Sequence, residues 1–175
     1  MTITLIILGI VVAAVAIIFI IAAMKPSHFA IQRSMRIPAP ADKIFPFIND
    51  MHAFLKWSPF EKDPNIKRTF SGPSAGTGAH YAWDGNRQVG AGSCEIVESA
   101  PSKIVMKLNM DRPFTARNTV VFTLTPAGGG TDVTWQMSGP QPFMAKVMST
   151  VINCDKMVGG EFDKGLTSLK ALAAN

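Results

Sequence analysis

Residues 142–175 read PFMAKVMSTVINCDKMVGGEFDKGLTSLKALAAN, and this stretch decides the fold. Its apolar side chains recur in steps of three and four, at Phe143, Val147, Val151, Cys154, Val158, Phe162, Leu166, Leu169 and Ala173. Such spacing places one apolar stripe along a helix, which Met144, Met148 and Ile152 widen. Pro142 suits a first helical turn, where its missing N–H is not needed. The sequence therefore predicts one long amphipathic helix over residues 142–175.

Upstream of this helix, apolar and polar residues alternate, which is the pattern of half-buried strands. Strands are predicted at residues 29–37, 66–71, 78–84, 87–99, 102–112, 115–126 and 131–138. Two short helices, at residues 41–48 and 51–57, follow the first strand. Within 102–112, for example, Ile104, Met106 and Leu108 share one face and Lys107 and Asn109 the other. One dry face and one wet face predict an antiparallel sheet covered on a single side, with the final helix as the cover.

The first 24 residues carry no charged side chain. Residues 3–23 are almost wholly apolar, and roughly 20 helical residues span about 30 Å, the thickness of the hydrocarbon core. A signal peptide is the alternative, but it would have basic residues ahead of a shorter apolar run. We predict a transmembrane anchor at 1–24, a short tether at 25–28 and a folded domain at 29–175.

Basic residues follow the apolar run and none precedes it. Lys25, Arg33, Arg36 and Lys43 all lie just beyond the predicted span. The positive-inside rule therefore predicts a single-pass membrane protein whose folded domain lies in the cytoplasm.

Composition argues against several other functions. The net charge of +5 is scattered, and Lys67-Arg68 is the only adjacent basic pair, so no nucleic-acid partner is predicted. Cys94 and Cys154 are too few for a disulfide framework and read as buried thiols. No cofactor and no metal site are predicted, since no ligand spacing joins the cysteines to the three histidines, His28, His52 and His80.

Two polar residues fall on the apolar face of their strands. Arg33 aligns with Phe29, Ile31 and Met35, and Asn118 is in line with Val120. Either each lies near a strand end or bonds to nearby backbone, or the two orient the polar end of a ligand. If the second reading holds, Arg33→Ala should weaken ligand binding without unfolding the domain.

The order of elements resembles the helix-grip fold of the START-like superfamily, also called SRPBCC. Particular stretches resemble the family too: IPAPADKIF at 37–45, HAFLKWSPF at 52–60, GTGAHYAWDGN at 76–86, and the closing helix at 162–172. The resemblance covers residues 29–174 and includes the polyketide cyclase/dehydrase and lipid-transport proteins. It implies an α+β domain in which a curved sheet of about seven strands surrounds a long C-terminal helix. It also implies a deep cavity for an apolar or amphipathic small molecule, but it implies no particular reaction.

The candidate ligand contacts are aromatic and methionine-rich, as suits an adaptable pocket. We predict contacts from Arg33, Trp57, Phe60, Tyr81, Trp83, Met106, Leu108, Asn118, Phe122, Trp135, Phe143, Met144, Met148 and Val151. The preferred function is membrane-anchored binding of a hydrophobic, lipid-like molecule, with no catalytic residue assigned. The alternatives are a cyclase- or dehydratase-like enzyme and a protein-interaction module without an open cavity.

Overall fold

The computed structural model describes residues 2–174 and contains one curved sheet with helices on it. Its elements are α1 (Thr2–Met24), β1 (His28–Ile37), α2 (Ala41–Asn49), α3 (Met51–Phe54), β2 (Lys67–Ser71), β3 (His80–Asp84), β4 (Ala91–Ala100), β5 (Lys103–Arg112), β6 (Ala116–Ala127), β7 (Gly130–Pro140), α4 (Phe143–Val151) and α5 (Cys154–Ala174).

All seven strands join one antiparallel sheet in the order β1-β7-β6-β5-β4-β3-β2. The predicted strands are confirmed to within a few residues, except that β4 begins at Ala91 and not at residue 87. Asn86 accounts for the difference, because its side-chain Oδ1 accepts hydrogen bonds from the backbone N–H groups of Gln88 and Val89. These bonds hold residues 86–89 in a turn, and Gly90 follows with a positive φ of 72°.

The predicted cover of the sheet is confirmed for the second half of the C-terminal stretch. Phe162, Leu166 and Leu169 on α5 are fully buried in the core. The ring of Phe162 stacks on Trp135 of β7, with centroids 4.2 Å apart. Gly165 allows this close approach, because a Cβ there would collide with the Trp135 ring. The helix therefore packs directly on the sheet, as in a helix-grip fold.

The prediction of one unbroken helix over 142–175 is wrong. The chain is extended at Ile152 (φ −112°, ψ 131°), which separates α4 from α5. The side chain of Asn153 then accepts a hydrogen bond of 2.9 Å from the backbone N–H of Lys156, as a residue at a helix N-cap does. The apolar periodicity continues across this short break, so the stripe alone did not reveal it.

The end of α1 contacts the rest of the fold through α4. The rings of Phe19 and Phe143 lie 5.6 Å apart, and Lys25 Nζ donates to Ser149 Oγ at 2.9 Å. Among the described helices, α1 alone is long and apolar enough to cross a membrane, with a mean hydropathy of 3.4 over 18 consecutive residues within Ile3–Met24. By length and composition this helix fits either a membrane span or a signal sequence.

Candidate ligand cavity

A cavity of about 390 Å³ lies between the sheet, α5 and the segment after α3. This volume is within the range of pockets that hold small organic ligands. Most of the lining is apolar, and its apolar members are Phe54, Leu55, Phe60, Ile66, Tyr81, Trp83, Val89, Cys94, Met106, Leu108, Met110, Val120, Trp135, Met137, Met157 and Val158. The lining reaches the surface, since Phe60 is 41% exposed and Met157 59% exposed.

Two buried polar atoms of uncharged side chains at the cavity wall have no hydrogen-bond partner in the protein. They are Nε1 of Trp135, a residue only 3% exposed, and Oδ1 of Asn118. The Asn118 oxygen lies against Gly139, where a Cβ would collide with it. An unpaired buried donor or acceptor costs roughly 1–3 kcal/mol, so each of these atoms would gain from a polar group on a ligand.

The hydroxyl group of Tyr81, also at the wall, has a hydrogen-bond partner within the protein. The hydroxyl of Tyr81 donates to Glu61 Oε1 at 2.9 Å, and Arg68 pairs with Glu61 Oε2 at 2.6 Å. Burial raises the pKa of Tyr81 above its ordinary value, and the negative charge of Glu61 raises it further. Tyr81 is therefore a protonated hydrogen-bond donor whose proton is already committed to Glu61.

A carboxylate on α5, that of Glu161, is also part of the wall. Glu161 pairs with Lys62 and with Lys164, each at 2.9 Å. Its contact with Lys62 lowers the pKa of Glu161 below the ordinary value, with Lys164 contributing less. Glu161 is consequently an ionised carboxylate at the cavity wall, and its ion pair with Lys62 ties α5 to the segment after α3.

This arrangement of sheet and helices has counterparts among known proteins. The family model described as polyketide cyclase / dehydrase and lipid transport matches residues 28–174. The chain belongs to this family. No curated protein matches the chain significantly in sequence.

Solved structures with the fold of the polyketide cyclase and lipid-transport family are similar over most of the chain. Protein MLL2253 from Mesorhizobium loti is 19% identical, with a TM-score of 0.60, covering 82% of this chain and 96% of its own. The KanY protein is 12% identical, with a TM-score of 0.65, and the match covers 86% of this chain and 100% of KanY. The di-domain ARO/CYC protein BexL, from the BE-7585A biosynthetic pathway, is 15% identical, with a TM-score of 0.64. The match covers 89% of this chain and 53% of BexL. At these identities the similarity establishes the helix-grip fold alone.

The structure brings half of the predicted contact residues together at the cavity. Those that line it are Phe60, Tyr81, Trp83, Met106, Leu108, Asn118 and Trp135. Trp57 and Phe122 lie in the packed core beside it, where Trp57 Nε1 donates to the backbone oxygen of Phe47. Thus the cavity is lined mainly by β3, β5, β6, β7 and α5 together with the segment after α3.

The remaining predicted residues lie away from the lining. Phe143, Met144, Met148 and Val151 are on α4, beside α1. Arg33 joins β1 to α5, where its guanidinium pairs with Asp155 at 2.9 Å and Asp163 at 3.4 Å. It also donates to the backbone oxygens of Gln32 and Asp155.

Sequence reasoning missed the charged residues of the wall: Glu61, Lys62 and Glu161. Glu61 and Lys62 lie in an irregular segment, where strand alternation gives no information about facing. Glu161 is next to Phe162 on α5, so a helical wheel places it at the margin of the apolar stripe. That marginal position was the available signal.

The lining extends to the end of the sheet at which the chain arrives from α1. The antiparallel register places the start of β1 beside the end of β7, with His28 opposite Pro140. The same register puts the end of β5 and the 85–90 loop at that end. Met110 on β5 and Val89 in the loop both line the cavity.

Proposed function

We propose that the protein binds a hydrophobic or amphipathic, lipid-like small molecule in this cavity while α1 anchors it in a membrane. The observation that carries the proposal is an apolar cavity of about 390 Å³ with unpaired polar atoms in its wall. Apolar surface gains roughly 25 cal/mol per Å² when it leaves water, so such a cavity favours an oily occupant. A polar oxygen on that occupant would accept from Trp135 Nε1, which fixes its orientation.

The packing of α1 supports an anchor that remains attached to the domain. Ala22 is fully buried, and Lys25 and Phe19 both contact α4, so the end of α1 forms part of the folded structure. The rest of the helix exposes apolar side chains along its length, which water would not tolerate but lipid would. By the positive-inside rule we place the domain on the cytoplasmic side. A topology reporter fused after Asn175 tests this placement, and activity on the far side of the membrane would refute it.

The position of the cavity supports exchange of ligand with the bilayer. Its lining residues Met110 and Val89 lie at the end of the sheet that receives the chain from α1. An apolar ligand concentrates in the membrane, and an opening near the surface would shorten its path through water.

Native mass spectrometry of the detergent-purified full chain, with extraction of bound small molecules, tests the binding proposal. Leu108 lines the cavity, and Val105 lies on the opposite face of the same strand. Leu108→Trp fills the cavity and should reduce the recovered ligand at least roughly tenfold, which is the equivalent of about 1.4 kcal/mol in binding. Val105→Trp, the matched control, should retain it. Reproducible absence of a ligand from the wild-type protein would reject the proposal in favour of an interaction module.

A cyclase- or dehydratase-like activity is the second candidate, because two carboxylates, Glu61 and Glu161, stand at the wall. An ionised carboxylate can act as a general base when a substrate proton is within reach. Extracts of the wild type and of Glu161→Gln distinguish the two functions. A binder yields the same compound from both, whereas an enzyme accumulates a different compound, its unconverted substrate, in the variant. Ion pairing of both carboxylates to basic side chains leads us to prefer binding.

A further inference from the structure

Helix α4 is an amphipathic helix, with Lys146 in its middle, and its apolar face is hardly covered by the domain. None of its residues is buried. Met144, Met148 and Val151 form one exposed stripe, with Met144 65% exposed and Val151 70% exposed. Their spacing of three and four residues places them on a single face. A contiguous apolar face of this kind marks an interaction surface.

The main neighbour of α4 among the described elements is α1. Phe143 contacts Phe19, and six residues later Ser149 contacts Lys25, which is also six residues beyond Phe19. The two helices therefore run side by side in the same direction. At a rise of about 1.5 Å per residue, six residues correspond to about 9 Å. Phe143 therefore lies about 9 Å nearer the N-terminus of α1 than Ser149 does.

This alignment fixes the depth of α4 if α1 spans a membrane, as the proposed function states. Lys25 is the first charged residue after the apolar helix and belongs at the level of the lipid headgroups. Ser149 would share that level, and Phe143 would lie among the upper acyl chains beside Phe19.

We propose that α4 is immersed in the membrane leaflet next to α1, with its exposed stripe against lipid. The polar atoms around this helix fit the headgroup level: Lys25 Nζ and Gln141 Nε2 both donate to Ser149 Oγ. The cationic side chain of Lys25 also complements anionic headgroups. The partner of this surface is thus the lipid itself, and the proposal rests on α1 being a membrane anchor.

Immersion of α4 has a consequence for the cavity. Only Ile152 and Asn153 separate α4 from α5, and the first two turns of α5 supply Met157, Val158 and Glu161 to the lining. Met157 is exposed as well as lining the cavity. A leaflet-immersed α4 holds this wall of the cavity at the membrane surface, where a lipid-like ligand would enter.

Depth-dependent fluorescence quenching tests the proposal on the full chain. The protein is reconstituted in vesicles of phosphatidylcholine and phosphatidylglycerol, in a Cys154→Ser background that leaves only the buried Cys94. An environment-sensitive dye is attached at Met144→Cys or Val151→Cys on α4, at Ile10→Cys on α1, or at Ser168→Cys on the exposed face of α5. Lipids with a nitroxide placed shallow or deep in the acyl chain are the quenchers.

The expected result is loss of fluorescence at Met144→Cys with the deeper nitroxide and at Val151→Cys with the shallower one, with no loss at Ser168→Cys. Quenching at Ile10→Cys with none on α4 would overturn the immersion of α4 and leave the anchor intact. Absence of quenching at Ile10→Cys would overturn both. Disulfide cross-linking of Met144→Cys between two copies, without lipid quenching, would assign the stripe to a second copy and would also overturn the proposal.

Discussion

The guanidinium group of Arg33 occupies the space that a side chain on Gly159 would need. A Cβ on Gly159 would collide with the terminal nitrogen and the central carbon of that group. Arg33 lies in the middle of β1 and reaches across to α5, where it pairs with Asp155 and Asp163. A glycine in the interior of a helix is thereby explained by an arginine on a strand.

The neighbouring glycine provides a matched control for this relationship. Nothing lies within 4 Å of a Cβ built on Gly160. Alanine is favoured over glycine by about 1 kcal/mol inside a helix, so Gly160→Ala should stabilise the protein by about that amount. Gly159→Ala should fall short of this gain, because Arg33 must leave its position. Chemical unfolding of the full chain in detergent measures both.

Measuring the effect of Gly159→Ala in the Arg33→Ala variant tests the steric explanation directly. With the guanidinium removed, Gly159→Ala should recover the stabilisation seen for Gly160→Ala, so the double-mutant cycle should give a coupling energy between Arg33 and Gly159. Equal effects of Gly159→Ala with and without Arg33 would contradict the steric explanation.

The sheet and its faces were predictable because alternation along a strand depends only on strand geometry. The cavity was not, because it depends on how side chains of different shape fill a shared volume. Ile104 and Met106 illustrate the limit: they lie on the same face of β5 and are both fully buried, yet only Met106 lines the cavity. Periodicity also could not identify the partner of α4, because an apolar stripe of the same spacing can pack against a sheet, another helix or lipid.

The break between α4 and α5 gives a prediction about Asn153. Its Oδ1 accepts the N–H of Lys156, an otherwise unpaired donor in the first turn of α5. Asn153→Ala should lower the free energy of unfolding by about 1 kcal/mol, whereas Asn153→Asp, which keeps the acceptor, should have little effect. Unfolding in denaturant compares the three proteins. Equal stability of the alanine and aspartate variants would show that the side chain does not act as a cap.

The ionisation of Tyr81 can be followed without interference from other tyrosines, because it is the only tyrosine in the chain. Burial and the charge of Glu61 raise its pKa, so the tyrosinate absorbance of the folded protein should appear well above the ordinary value of about 10. In denaturant the same absorbance should appear near pH 10. Glu61→Gln should bring the folded-state titration part of the way back, since burial remains.

The same shift predicts how stability depends on pH. A pKa that is higher in the folded than in the unfolded state contributes stability that is complete below about pH 10 and is lost as the pH rises further. The stability difference between wild type and Tyr81→Phe should therefore shift in favour of the variant above that pH. A difference independent of pH over that range would contradict the raised pKa.

The two cysteines should differ in reactivity in the folded protein. Cys94 lines the cavity but is only 7% exposed, and burial raises its pKa to about 12. Since the thiolate is the nucleophile, Cys94 should resist alkylation at mildly alkaline pH, while the half-buried Cys154 reacts. Mass spectrometry of the full chain should find one label in detergent, none in Cys154→Ser, and two after denaturation of the wild type. Rapid labelling of Cys94 in the folded Cys154→Ser protein would mean that this wall of the cavity opens to solvent.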